Sequence, residues 1–136
     1  MRFPIQSFAL AALMPFLTIH AASGQDIEAG KAAFKKCVLC HITEAGKNKV
    51  GPSLFGIVGR NSASLDAYNY SEGMKKFDHI WDQQTLRTYL ADPRAAVPGT
   101  KMIFPGIKDD KERDDVITYL ETAEMIVNDI ERAFLT

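Results

Sequence analysis

Apolar residues recur at helical spacing along much of this chain, and the alternation typical of strands is almost absent. Near the start, Asp26 can cap a helix that carries Ile27, Gly30 and Phe34 on one stripe. Glycine lowers helix propensity, so its place on this stripe predicts that another helix crosses closely at Gly30. The pattern therefore predicts a first helix that packs against a second one.

Three further helices are predicted downstream, at about residues 71–76, 82–92 and 109–134. Each begins at a polar capping residue, and the last one opens on a capping box. The segments 41–70 and 93–106 carry many glycines and prolines, which predict irregular loops. So few helices and so much loop predict an all-α fold whose helices and loops pack around a central component as well as against one another. The inward positions of the two longer helices are Leu86, Tyr89 and Leu90, then Val116, Tyr119, Leu120, Ala123, Val127, Ile130 and Phe134.

The composition describes one ordinary globular domain of 136 residues. Hydrophobic residues make up 46% and charged residues 24%, which excludes a wholly disordered chain. The 16 basic residues do not exceed the 17 acidic ones, so the excess typical of nucleic-acid binders is missing, and no nucleic-acid partner is expected. Two cysteines are too few for a disulfide scaffold or a tetracysteine metal site.

Residues 1–24 have the order of a secretory signal, with Arg2, an apolar run and then small residues. Cleavage after Gly24 leaves residues 25–136 as a single domain. The alternative is an uncleaved membrane anchor, but the polar and proline interruptions of the run favour cleavage and no stable membrane insertion afterwards. These interruptions are Pro4, Gln6, Ser7 and Pro15.

The chemically informative motif is Cys37, Cys40 and His41, spaced as C-x-x-C-H. Thiols three residues apart can reach the two vinyl groups on one haem edge, and the adjacent histidine can ligate the iron. A thioredoxin-like redox pair needs a preceding strand, and a zinc site needs a fourth ligand, for which only His79 remains. A simple disulfide stays open, because a secreted chain meets an oxidising compartment.

A second iron ligand is predicted in the loop 98–106, where proline and glycine surround Met102. Such a loop can present a thioether while keeping its backbone away from the haem plane. Met125 lies at a position typical of core filling, Met74 in a short polar helix, and His79 between charged residues. Met102 is therefore the favoured ligand, with a core role as its alternative.

Three segments in this order, 37–41, 51–54 and 99–104, resemble class I cytochrome c, most closely bacterial cytochrome c2 and mitochondrial cytochrome c. The resemblance covers about residues 26–124. It implies the class I cytochrome c fold and one covalently attached haem c, with His41 and Met102 as the iron ligands. Two features depart from the family: the chain continues as a helical extension over 125–136, and Met74 stands where the mitochondrial branch commonly has asparagine.

The resemblance also implies roles for residues around the haem. The carbonyl of Pro52 accepts the other ring N–H of His41, and Tyr89 hydrogen-bonds the ligating sulfur. The remaining residues form two groups. Arg60, Tyr70 and Trp81 surround the haem propionates, and Phe104 covers the haem edge, while Gly30, Phe34, Val116 and Tyr119 form the crossing of the first and last helices.

The implied function is one-electron transfer by a soluble, monomeric periplasmic carrier that is not an enzyme. Its expected partners are a quinol-oxidising bc complex and a terminal oxidase or photosynthetic reaction centre, bound transiently. Two alternatives remain: a dedicated electron acceptor of one periplasmic dehydrogenase, and a haem peroxidase or ligand-binding protein if Met102 dissociates easily. The lysines expected to bind partners are Lys35, Lys36, Lys49 and Lys101, with Lys47 nearby.

Overall fold

The computed structural model describes residues 26–134, with side chains described up to residue 123. This part of the chain contains five helices and no strand beyond the single bridge between Asn61 and Ile80. The predicted all-α class is therefore confirmed. The leader and the side chain of Met125 lie outside the described residues. The helices are α1 (Ile27–Phe34), α2 (Glu72–Phe77), α3 (Gln83–Ala91), α4 (Pro93–Ala96) and α5 (Asp110–Phe134).

The predicted helix starts are confirmed by their caps. The carboxylate of Asp26 accepts hydrogen bonds from the first backbone N–H groups of α1, and Ser71 and Asp82 do the same for α2 and α3. At α5 the Asp109 carboxylate accepts the N–H of Glu112 over 2.8 Å. Short polar side chains satisfy N–H groups that have no partner inside a helix, which is why these four helices begin where the sequence predicts.

Two expectations were wrong in detail. The segment after Pro93 begins with the short helix α4, because proline fixes a helical φ there and Asp92 caps the backbone N–H of Ala95. Ile27 is 41% exposed, so the inward stripe of α1 consists of Gly30, Ala33 and Phe34. Met74 lies in a short polar helix, as predicted, and its side chain is buried there.

The first and last helices cross with almost no space between their backbones. A Cβ added at Gly30 would lie 2.0 Å from the carbonyl oxygen of Asp115, so only glycine permits this approach. Beside the crossing, the rings of Phe34 and Tyr119 lie 5.2 Å apart. The N–H of Asp26 donates to the Asp115 carboxylate over 2.8 Å. The predicted crossing at Gly30 is confirmed.

Helix α3 packs on the other side of α5, and the two are joined at the surface. Both the Nε and Nη2 atoms of Arg87 donate to the Asp114 carboxylate, over 2.7 and 2.6 Å.

Between residues 26 and 134 no helix has both the length and the apolar character needed to cross a bilayer. The buried core between the helices includes Leu86, Leu90, Val97, Ile107, Val116, Ile117 and Leu120.

Candidate functional site

A cavity of about 450 Å³ lies between the loops and is walled mainly by apolar side chains. This volume is within the range of small-molecule and cofactor sites. The structure brings to its wall every residue that was predicted to bind a cofactor: Cys37, Cys40, His41, Pro52, Arg60, Tyr70, Trp81, Tyr89, Met102 and Phe104. His79 does not line it; it is exposed and stacks on the ring of Phe77 with 4.3 Å between centroids.

The C-x-x-C-H segment forms a helical turn directly after α1. The N–H of Cys37 donates to the carbonyl of Phe34 over 2.8 Å, and the N–H groups of Cys40 and His41 donate to the carbonyl of Cys37 over 3.0 and 2.8 Å. Both thiols are free, and burial raises the pKa of the Cys37 thiol to about 11. One turn thus presents two thiols and an imidazole to the same cavity.

The imidazole of His41 is oriented by the segment that follows it. Its Nδ1 lies 2.8 Å from the carbonyl oxygen of Pro52, an acceptor that fixes the proton on this nitrogen and leaves Nε2 as the basic one. A Cβ at Gly51 would lie 2.4 Å from Cε1 of the ring, so the backbone passes directly behind it. Burial lowers the pKa of His41, and its hydrogen bond to Pro52 opposes this effect. The lowered pKa favours the neutral imidazole, which is the form that binds metals.

Met102 contributes a thioether from the loop between α4 and α5. The hydroxyl of Tyr89 donates to Sδ of Met102 over 3.3 Å and lies 3.4 Å from the hydroxyl of Thr100. The Met102 N–H donates to that same threonine hydroxyl over 3.2 Å. At the beginning of the loop, a Cβ at Gly73 would lie 2.1 Å from the carbonyl oxygen of Pro98, so α2 supports the loop by direct backbone contact.

Three polar side chains lie together at another part of the wall. Nη1 and Nη2 of Arg60 donate to the carbonyls of Phe55 and Ser53 over 2.7 and 2.8 Å. The backbone N–H of Trp81 donates to the backbone carbonyl of Arg60 over 2.9 Å, which keeps the two residues side by side. Burial raises the pKa of Tyr70, against the opposing effect of Arg60. This corner offers a guanidinium, an indole and a phenol, which suit a carboxylate held out of water.

The four lysines expected to meet partners differ in their contacts. Lys36 lies at the cavity wall with its Nζ 2.5 Å from the Glu112 carboxylate, so its charge is partly offset. Lys49 and Lys101 donate to the carbonyls of Val38 and Asn69, both over 2.9 Å, so these hydrogen bonds are to uncharged acceptors. Lys35 is exposed.

Several residues of the site were missed by sequence reasoning. Tyr68 lines the cavity, and its hydroxyl donates to the carbonyl of Val50 over 2.8 Å. Two large apolar residues of the cavity wall are almost fully exposed, Val50 at 79% and Ile103 at 87%, and Leu39 of the cysteine turn is 82% exposed. Single apolar residues inside loops carry no periodic signal, so only the structure shows that Val50 and Ile103 share one cavity.

The site defines a class of protein: an all-α chain whose C-x-x-C-H turn, imidazole and thioether line one apolar cavity suited to a haem. Comparison with known proteins agrees with this class. The family model described as Cytochrome c matches residues 27–124. The chain is 52% identical to cytochrome c2 of Rhodoplanes tepidamans over 97 residues, which cover 71% of this chain and 91% of that protein.

Two other relatives agree. Cytochrome c-550 of Nitrobacter winogradskyi is 50% identical over 96 residues, covering 70% of this chain and 88% of that protein. The structure of cytochrome cH from Methylobacterium extorquens superposes with a TM-score of 0.68 at 50% identity, covering 71% of this chain and 98% of that one. This chain belongs to the cytochrome c family, in its class I branch. It is accordingly an electron carrier.

Proposed function

We propose that this protein carries single electrons by means of one covalently attached haem c, held by the described cavity. The observation that carries the proposal is that both thiols, the His41 imidazole and the Met102 thioether line the same cavity. A bound haem would supply an iron that changes its oxidation state by one electron. The mainly apolar wall suits a largely apolar group.

Each predicted residue has a role in holding the group. Cys37 and Cys40 would hold the haem by adding across its two vinyl groups, with the sulfur going to one carbon and its hydrogen to the other, an addition that needs no oxidant. His41 binds the iron through Nε2 while Pro52 fixes the ring. Met102 binds from the other loop. Arg60, Tyr70 and Trp81 receive the propionates, and Phe104 covers the edge.

Ligation by His41 and Met102 leaves no position for a substrate, which favours electron transfer over oxygen chemistry. A thioether favours ferrous iron, and so does an apolar cavity, since both disfavour the more highly charged ferric state. The hydroxyl of Tyr89 reinforces this preference by withdrawing electron density from the sulfur. We therefore expect a high reduction potential.

Partners meet the molecule at the surface around the cavity. The positive charges of Lys35, Lys49 and Lys101 steer acidic partners, while the exposed side chains of Val50 and Ile103 give a small apolar contact. Such an encounter is weak, brief and sensitive to salt. The donor is a quinol-oxidising bc complex, and the acceptor is a terminal oxidase or a photosynthetic reaction centre.

The expected setting of this activity is the periplasm. Residues 1–24 act as a cleaved signal peptide, and the mature chain of residues 25–136 is one monomeric domain that ends in the extension 125–136. Attachment through two thioethers would keep the haem on a protein that works outside the cytoplasm. N-terminal sequencing of the mature protein tests this proposal, and a chain that still begins at Met1 would contradict it.

A redox titration of the purified haem protein tests the proposed ligation. The visible spectrum is followed together with the weak far-red band of iron–thioether ligation in the ferric form. A high potential with this band is the expected result. A low potential or a missing band would refute ligation by Met102 and favour a peroxidase or ligand-binding role.

A second candidate is a dedicated acceptor of electrons from one periplasmic dehydrogenase. It is favoured by one observation: α5 runs to Phe134, whereas the family match ends at residue 124. The experiment measures the rate at which a dehydrogenase from the same periplasm reduces the full chain and a protein truncated after residue 124. A slower reaction with the enzyme but an unchanged one with ferrocyanide supports this candidate, and equal rates with the enzyme exclude it.

A further inference from the structure

The chain that follows Met102 is attached to α3 a few residues downstream. The N–H of Ile107 donates to the carbonyl of Leu90 over 2.7 Å. A Cβ at Gly106 would lie 2.2 Å from the carbonyl oxygen of Ala91, so the backbone touches the end of α3 with no space between. The downstream end of the methionine loop is therefore fixed against the helix that also supplies the tyrosine donor to the sulfur.

Arg113 of α5 holds this same end from the opposite side. Arg113 is only 7% exposed. Its Nη1 donates to the carbonyls of Ile107 and Lys108 over 2.7 and 3.3 Å. Nη2 contacts the Asp110 carboxylate. The buried Nε has no hydrogen-bond partner among the described residues. Burying a guanidinium that has an unsatisfied donor costs free energy. The hydrogen bonds from Arg113 to the two carbonyls offset part of this cost.

On its downstream side, the methionine has no closer backbone anchor than this attachment. From Met102 to Gly106 the described chain makes no hydrogen bond from one backbone group to another. The first such bond after the thioether is the one from Ile107, whose own carbonyl Arg113 binds. Ile107 is therefore the nearest downstream anchor of the segment that carries the sulfur, and losing it would give that segment more freedom to move.

We infer that Arg113 is a positioning residue for Met102, which acts by holding the carbonyls of Ile107 and Lys108 and thereby keeps the thioether at the iron. The inference rests on the proposed function. Loss of the guanidinium lets the loop open more often. An external ligand binds only the open form, so its apparent affinity rises in proportion to the open fraction.

Imidazole binding to the ferric holoprotein tests the inference, together with the far-red band and thermal unfolding. Arg113→Gln is compared with Arg87→Gln, which removes another arginine contact of α5, with Asp114, but touches no part of the methionine loop. We expect Arg113→Gln to bind imidazole about tenfold more tightly than wild type and to lose part of the band. Arg87→Gln is expected to unfold earlier with unchanged imidazole affinity.

A conservative variant keeps the test decisive if Arg113→Gln does not fold. Arg113→Lys retains the charge but has one donor centre in place of the planar fork. We expect it to bind imidazole about twofold to fivefold more tightly than wild type. Imidazole affinities equal to that of Arg87→Gln would overturn the inference. A wild type that lacks the far-red band would overturn the proposed ligation by Met102. Equal imidazole affinities in the presence of a normal wild-type band would overturn only the inference about Arg113.

Discussion

The hydroxyl of Tyr89 donates a hydrogen bond to Sδ of Met102 over 3.3 Å. This bond withdraws electron density from the thioether and so disfavours ferric iron, if that sulfur is the ligand. Tyr89→Phe should therefore lower the reduction potential, by up to roughly 60 mV, the equivalent of one ordinary hydrogen bond for a one-electron couple. Potentiometry measures the shift. Tyr68→Phe removes a hydroxyl that bonds Val50 and is the matched control, for which a much smaller shift is expected.

Met102→Ala should leave the haem attached through the two cysteines but remove the thioether ligand. We expect the far-red band to disappear and the potential to fall by at least about 59 mV, a tenfold loss of preference for ferrous iron. Met74→Leu is the control, because Met74 is a second buried thioether at the same cavity and leucine conserves its volume. A band that survives in Met102→Ala and vanishes in Met74→Leu would transfer the role to Met74.

The charge around the cavity can be measured without knowing the natural partners. Oxidation of the reduced protein by ferricyanide, an anion, is compared with oxidation by tris(phenanthroline)cobalt(III), a cation. Replacing Lys49 and Lys101 by glutamine should slow the first reaction roughly twofold to tenfold at low ionic strength and accelerate the second. The matched change at Lys31 and Lys76, exposed lysines of α1 and α2, should affect both far less. Equal effects of the two pairs would argue against local steering.

Asp115 makes the stability of the fold depend on pH in the acid range. Its hydrogen bond from Lys111 and then the one from the N–H of Asp26 hold its pKa below the usual 3.8. A depressed carboxyl pKa stabilises the fold above the unfolded value, and this contribution is lost as pH falls from about 4 through the folded value. Asp115→Asn should lower Tm by roughly 5 °C at pH 7 and by less at pH 3. An equal loss at both pH values would contradict this origin.

The helices and their ends were predictable because their causes are local. Asp26, Ser71 and Asp82 each satisfy N–H groups two or three residues away, and a neighbouring segment alone is enough to see this. Gly30 was equally informative, since a glycine on an apolar helical stripe costs helix propensity and so indicates a closely packed neighbour. The exposure of Ile27 was not predictable, because the direction from which α5 approaches decides it.

The site was predictable where a motif encodes its chemistry and not where distant segments meet. The C-x-x-C-H spacing and the loop around Met102 indicate their residues directly. The ion pair of Lys36 with Glu112 joins residues 76 apart, and the contact of Arg113 with Ile107 depends on how α5 meets a loop. Neither has a signature in the order of the residues, because only tertiary packing creates it.

The tight crossing at Gly30 has a consequence for the way the molecule is made. Asp26 and Asp115, which bond across it, are 89 residues apart. The helix that precedes the cysteine turn therefore lacks its neighbour until nearly the whole chain has been synthesised. Contacts of such long sequence separation close late and slow the search for the native state. The two thiols are thus made well before the last helix can pack behind them, and a chain cut short before α5 would leave the cysteine turn without its support.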